Sequence, residues 1–279
     1  EDYQNASNTT LKDILVKYRD EETPKKKGAQ SELYRINRLI NNKIALVSLL
    51  RLKSSHISTL KKELEGRAPQ TIKHYIQLIS VAWNTAKKEW GITLPAENPC
   101  SMVSMPKVNN RREYILTHKQ YNNLINACSD YIKDFVVMLY ETGARYSELA
   151  ELQHSNVDLY NRKLTFVDTK NGDDRTIPIN ERALSILKRY RFGKTVFNID
   201  YQKFYEHFCK ARHSVELDYF HAHDLRACWC TNAILSGMSL PEVSALSGHK
   251  SWSMLRRYTR IKPEDLEEKV NKIVWIESK

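Results

Sequence analysis

The chain has 279 residues, 41% hydrophobic and 28% charged, with 44 Lys and Arg against 33 Asp and Glu for a net charge of +11. That length supports one large domain or two ordinary ones, and the composition is that of a globular protein rather than a disordered polyelectrolyte. No window holds about 18 uncharged apolar residues, which excludes a membrane-spanning helix, while the basic balance favours a polyanionic partner.

The positive excess is densest early. Through Asn110 there are 18 basic and 11 acidic residues, against 26 and 22 in the rest. Five cysteines at irregular spacing, Cys100, Cys128, Cys209, Cys228 and Cys230, suit reduced thiols better than a disulfide framework. Cys228 and Cys230 lie close to His221 and His223, but C-x-C lacks the usual zinc spacing and has no matching second half, so no metal site is expected. No secretory leader is legible at the start, and the first residue is Glu rather than Met. The expectation is a fragment or processed form with a segment upstream.

Residues 1–90 read as helical. Leu11, Ile14, Leu15 and Tyr18 recur at helical spacing behind Asn8-Thr9-Thr10, which offers an N-cap. Leu33, Ile36, Leu39 and Ile40 form a second stripe, and Ile57, Leu60 and Leu64 a short third. The fourth is long: Ile72, Tyr75, Ile76, Ile79, Trp83, Ala86 and Trp90, opening at Pro69 and ending at Gly91. Its other face carries Lys73, His74, Lys87 and Lys88. Residues 91–112, GITLPAENPCSMVSMPKVNNRR, hold three Pro and end on Arg111-Arg112. They read as an interdomain linker. The expected division is a helical domain over 1–92, a linker over 93–112 and a second domain over 113–279.

The second domain opens with helices near 118–128 and 131–142. Then comes KLTFVDTKNGDDRTIPI, residues 163–179, where Leu164 and Phe166 alternate with polar residues. Asn171-Gly172 signals a hairpin turn, with Ile177 and Ile179 pairing back. Helices follow around 180–190, 201–212, 224–236, 240–247 and 251–258. The fold class is thus mostly α with a small antiparallel β-sheet.

Four separated segments carry chemistry. In ETGARYSELAEL, 141–152, Gly143 fits a helix end and Ser147-Glu148 opens the next helix, so Arg145 sits at the elbow between them. Lys170 lies at the hairpin tip. In HAHDLRACWC, 221–230, Asp224 reads as an N-cap, with His223 just before the helix and Arg226 in its first turn. In LSGHKSWSMLRRYTR, 246–260, Gly248 ends one helix, His249 occupies the turn and Tyr258 follows nine residues later. Each residue has an ordinary role open to it when taken singly: a surface Arg on a carboxylate, a solvated turn Lys, a helix-start His, a Tyr ring packed on Met254.

Together they resemble the tyrosine recombinases, the phage integrase family. That family shows Arg in T-G-x-R-x-x-E, Lys at a β-hairpin, H-x-x-R, G-H and then Tyr about nine residues on. Here these are Thr142-Gly143-Ala144-Arg145-Tyr146-Ser147-Glu148, Lys170, His223-Asp224-Leu225-Arg226, Gly248-His249 and Tyr258. Ala227-Cys228-Trp229 departs from the His or Thr often found after H-x-x-R, without touching a catalytic position. The resemblance covers roughly 113–265.

The resemblance implies a helical core-DNA-binding domain and a catalytic domain closing as a C-shaped clamp on double-stranded DNA. DNA-binding candidates are Lys73, His74, Lys87, Lys88, Arg111 and Arg112. A phosphodiester is already anionic and gains charge on attack, so preorganised cations lower the barrier. Arg145 and Arg226 would clamp the nonbridging oxygens, with His249 donating a further hydrogen bond. Tyr258, whose reference pKa is about 10, would be the nucleophile. His223 would assist as base, Lys170 would protonate the leaving 5′-oxygen, and Glu148 would support Arg145. The product is a 3′-phosphotyrosyl bond, made and resealed without ATP, metal or any other cofactor. Implied partners are three further copies of the chain, forming a homo-tetramer on two DNA sites, and accessory DNA-bending proteins. The tail at about 263–279 is a candidate for exchange between protomers. The expected setting is the cytoplasm of a bacterial or archaeal host, on nucleoid DNA. The competing readings are a catalytically silent DNA-binding regulator of the same fold and a type IB topoisomerase.

Overall fold

Contacts divide the chain after Asn110 into two units, 1–110 and 111–279. The computed structural model describes residues 8–26, 28–108, 114–167, 174–251, 255 and 270–271.

In the first unit α1 (Leu11–Glu21) starts where Thr10 and Asp13 cap one another. The Asp13 carboxylate accepts from Thr10 N at 2.7 Å, and the Thr10 hydroxyl from Asp13 N at 3.4 Å. Then come α2 (Ala29–Ile40), α3 (Ser54–Glu63) and α4 (Pro69–Lys88). Pro69 stands in the first turn of α4, where its missing N–H costs nothing. The apolar stripes of these helices meet in one core around Leu15, Ile36, Leu39, Ile57, Ile76, Ile79 and Trp83.

The expected linker needs correction over its first half. Ile92, Leu94, Cys100 and Val103 are buried in this same core. The segment is also tied down by polar bonds. Lys87 Nζ donates to the Pro95 and Ala96 carbonyls, both at 3.1 Å, and Lys61 Nζ donates to the Ser104 carbonyl at 2.7 Å. Prolines set the chain direction there, but isolated apolar residues still pack. Arg111 and Arg112 lie outside the described residues.

The second unit runs α5 (His118–Ala127), α6 (Asp130–Thr142), α7 (Tyr146–Ala150), β1 (Val157–Asp158), β2 (Lys163–Phe166) and β3 (Arg175–Pro178). It continues with α8 (Glu181–Leu187), α9 (Tyr201–Ser214), α10 (Ala222–Leu235) and α11 (Leu240–Ser247). The strands form an antiparallel sheet in the order β1-β2-β3, with Leu164 opposite Ile177 and Phe166 opposite Arg175. The expected hairpin is present; its tip, with Asn171 and Gly172, lies outside the described residues, as does most of the helix expected at 251–258. β1 has no counterpart in the sequence reading, because two residues carry no periodicity. Phe135, Leu139, Leu164, Phe166, Ile177, Phe204, Phe208 and Leu225 share the core between helices and sheet. Among the described residues no helix is long and apolar enough to cross a membrane. The fold class is as expected: mostly α, with one small antiparallel sheet.

Candidate active site

Arg145 is held by the way α6 ends. Gly143 closes the helix at φ 60°, and a Cβ there would stand 2.6 Å from the ring of Trp229 on α10. Glycine is needed for both reasons, the left-handed backbone and the close approach. The chain then turns directly into α7, with Arg145 at its N-cap and Glu148 at its third position. The Glu148 carboxylate accepts from Arg145 N at 2.9 Å and from Arg145 Nη1 at 2.5 Å. Arg145 Nη2 donates to the Gly248 carbonyl at 3.2 Å. Tyr146 anchors the elbow from the other side, its ring 5.2 Å from Phe135 and 5.0 Å from Phe204.

Glu148 has a second partner that the sequence reading missed. Arg175, on β3, donates to it from Nη2 at 2.9 Å and from Nη1 at 3.3 Å. Its guanidinium also lies 4.9 Å over the Phe166 ring. The signal was available: Arg175 shares the parity of buried Ile177 and Ile179, so alternation places it inward. Burial raises the Glu148 carboxyl pKa, but bonds from Arg175 and from Arg145 outweigh it, so the group sits below the ordinary glutamate value.

Arg226 is set differently. It is 2% exposed. Nη1 donates to the Gly143 carbonyl at 2.7 Å, and Nη2 lies 3.2 Å and 3.4 Å from Nδ1 and Nε2 of His249. No carboxylate among the described residues pairs with it. Burial, then the nearby Arg145, pull its pKa down to about 10. It remains charged at neutral pH. Arg145 and Arg175 share the Glu148 carboxylate and Arg226 has none, so among the described residues cations outnumber carboxylates at this site.

His249 follows α11, which ends at Gly248 with φ 71°. A Cβ on Gly248 would stand 2.3 Å from Arg175 Nη1. His249 N donates to the Ser244 carbonyl at 3.2 Å, Ser244 Oγ donates to the His249 carbonyl at 2.5 Å, and Ser247 Oγ lies 2.6 Å from Nδ1.

One local expectation is corrected. Asp224 is not the N-cap of α10; His221 is, and Asp224 stands three residues in, its carboxylate accepting from His221 N at 2.8 Å. The capping carboxylate reaches back, so the helix begins earlier, with exposed His223 in its first turn and Arg226 further in. His223 sits at the rim of an aromatic pocket of about 270 Å³ lined also by Tyr146, Tyr201, Phe204, Tyr205 and Arg212. Cys228 and Cys230 are buried, and burial lifts both thiols to about 11.

The structure thus brings together Arg145, Glu148, Arg226 and His249, and adds Arg175. Lys170 and Tyr258 lie outside the described residues. In the first unit Lys73 and His74 are half-buried and Lys88 exposed, while Lys87 is occupied with backbone carbonyls. Burial, then Arg35 and Lys73, hold the His74 imidazole below its ordinary value.

Residues 114–265, more than half of the chain, match the model of the phage integrase family. A shufflon-specific DNA recombinase of Escherichia coli is 29% identical, over 94% of this chain and 72% of its own length. Among solved structures, the Tn1549 transposon integrase in complex with a circular intermediate DNA matches with a TM-score of 0.77 at 17% identity, covering 95% of this chain and all of that one. A lambda integrase tetramer bound to a Holliday junction matches with a TM-score of 0.72 at 20% identity, covering 91% of this chain and 79% of the other. At these identities the two structures speak for the fold.

Proposed function

Because this chain belongs to the phage integrase family and is a tyrosine-type recombinase, we propose that it cleaves and rejoins duplex DNA through a 3′-phosphotyrosyl intermediate on Tyr258, without ATP or metal. The observation that carries the reading is Arg226: a guanidinium 2% exposed, charged and with no carboxylate partner among the described residues, beside Arg145 and His249. Burying an unpaired cation is costly, and a site that tolerates it is built to receive an anion. A phosphate seated there would meet the Arg145 and Arg226 forks and a donor from His249, where charge develops in the transition state.

Tyr258 Oη attacks phosphorus as its proton passes to His223. The bond from phosphorus to the 5′-oxygen breaks, and Lys170 protonates that oxygen. Attack by the 5′-hydroxyl of another strand reverses the step on a new partner. Glu148 holds Arg145 and does not react. The first unit supplies phosphate contacts through Lys73, His74 and Lys88, and Arg111 and Arg112 are further candidates; Lys87 is better accounted for by its bonds to Pro95 and Ala96. Exchange on two duplexes needs four protomers, a stoichiometry in keeping with the lambda integrase tetramer. Accessory DNA-bending proteins would assist that assembly, on nucleoid DNA in the host cytoplasm. The tail at 263–279 has an apolar run, and the aromatic pocket beside His223 is a recess that such a run could fill in a neighbouring protomer.

The test is a nicked suicide duplex carrying a candidate core site, resolved on a denaturing gel. A covalent adduct that persists in chelator and vanishes in Tyr258→Phe is expected. Binding to a matched site without any adduct would refute the reading in favour of a silent regulator.

A further inference from the structure

α4 is the longest helix among the described residues, and its 20 residues hold no Asp or Glu. Ile72, Ile76, Ile79 and Trp83 turn into the core, which leaves Lys73, Gln77, Val81, Asn84 and Lys88 along the opposite face. The two lysines stand about 22 Å apart along the helix axis, with uncharged side chains between them. Ends of that kind suit phosphates, and a middle of that kind suits base edges.

Most polar groups on this face are already engaged. Asn84 Oδ1 accepts from Asn98 Nδ2 at 3.1 Å, and Gln70 Nε2 lies 2.6 Å from His74 Nε2. Lys26 Nζ donates to both Glu32 oxygens at 2.8 Å, so that pair cancels. Gln77 is exposed and, like Arg35 on α2, has no hydrogen bond or ion pair among the described residues. Both side chains line one recess of about 150 Å³ bordered by α2 and α4. Burial, then the charge of Arg35, hold the His74 imidazole below its ordinary value, which places the guanidinium beside α4. Arg35 is half-buried, so its direction is set by the packing of its stem rather than by a carboxylate.

A phosphate offers only acceptors. Arg35 would suit one, but the Gln77 amide both donates and accepts, and its acceptor would stand idle there. Purine edges in the major groove suit both residues: guanine offers O6 and N7 to an Arg fork, and adenine offers N6 and N7 to a Gln amide. We propose that Gln77 and Arg35 determine which core site this chain binds, Gln77 pairing with an adenine and Arg35 with a nearby guanine, while Lys73 and Lys88 hold the flanking phosphates. The inference rests on the DNA contact given to the first unit above.

The experiment selects duplexes from a randomised pool by retention on the full chain, as wild type, Gln77→Ala, Gln77→Glu and Arg35→Ala. Wild type should enrich a site with an adenine and a guanine within about two base pairs of each other. Gln77→Ala should cut the preference for that adenine about 10-fold and leave the other positions as they are. Gln77→Glu should move the preference to cytosine, whose N4 donates to a carboxylate; a misfolded variant cannot gain a new preference. Arg35→Ala should relax the guanine alone. If Arg35→Ala instead weakens binding to every duplex alike and lowers the slope of log affinity against log salt by about 1, Arg35 holds a phosphate and the proposal is overturned. Unaltered preferences in the Gln77 variants overturn it equally. Selection needs no nucleophile, so the two readings separate. Duplexes retained with preferences that the variants leave intact sink this inference alone, whereas no retention by wild type sinks the DNA contact of the first unit with it.

Discussion

Replacing Arg175 by Met tests whether the site is held from behind by β3. Glu148 accepts four hydrogen bonds, from Arg145 N and Nη1 and from both terminal nitrogens of Arg175. The side chains of Arg175 and Glu148 are 8% and 4% exposed, so this is a buried pair. Removing one member of a buried pair costs about 3–5 kcal/mol. Arg145 stays to serve the carboxylate, which places the loss near the lower end, at about 3 kcal/mol, and the cation–π contact with Phe166 adds about 1 kcal/mol. For a unit of this size that lowers the melting transition by about 10 °C, read by calorimetry on the full chain. The pH dependence identifies the cause. The Glu148 carboxyl sits below its ordinary value in the folded protein. Its contribution is therefore complete above the unfolded glutamate value of about 4.3 and is lost as pH falls through the lower folded value. The gap between wild type and Arg175→Met should be full at pH 7 and shrink below about pH 4. A gap under about 1 kcal/mol at pH 7, or one that stays constant with falling pH, would refute a charged Glu148 held by Arg175.

Three further outcomes follow from the same geometry. Arg226→Lys keeps the charge but loses the planar fork, so single-turnover cleavage should fall at least about 100-fold with little change in melting temperature; an unimpaired lysine variant would remove Arg226 from the phosphate clamp. Gly143→Ala forces a Cβ to 2.6 Å from the Trp229 ring at φ 60°, so it should destabilise the catalytic unit by about 2–4 kcal/mol in denaturant unfolding. Lys88→Ala should weaken binding to all duplexes alike and reduce the slope of log affinity against log salt by about 1, whereas Lys87→Ala should leave that slope unchanged.

What could be read from the sequence and what could not divide along physical lines. The helices of the first unit are legible because each buries one stripe, and Thr10 and Pro69 mark two starts through backbone chemistry alone. The elbow at Arg145 is legible because left-handed Gly143 and capping Glu148 are local signals. Arg175 is not local: its partner lies 27 residues away, and only the strand register turns it inward. The burial of Ile92, Leu94 and Val103 was hidden for a related reason, since no period connects them and three prolines dominate the composition. The contact of Ser247 with His249 is hidden as well, because nothing in a helix-ending serine tells which side chain it meets. Local grammar gives the elements and the motif; the groups behind the motif come from packing between distant segments.

That division bears on how the site is stabilised. Arg145 is tied to Glu148 by three residues of sequence, whereas Arg226 reaches its hydrogen-bond partners among the described residues, Gly143 and His249, across 83 and 23 residues, and neither is a carboxylate. Folding must therefore bury a guanidinium against its own preference, and the same burial pulls its pKa below the ordinary arginine value. The penalty should be recovered when an oxyanion arrives. Sulfate or orthovanadate at 100 times its dissociation constant should stabilise the catalytic unit by about 2.7 kcal/mol, if it binds the folded state alone. The decisive comparison is Arg226→Met, which removes the buried charge. In its absence the apo protein should melt no lower than wild type, and the stabilisation by oxyanion should be lost. Equal stabilisation of wild type and Arg226→Met would mean that the anion sits elsewhere, and that the buried guanidinium is structural rather than an anion receptor.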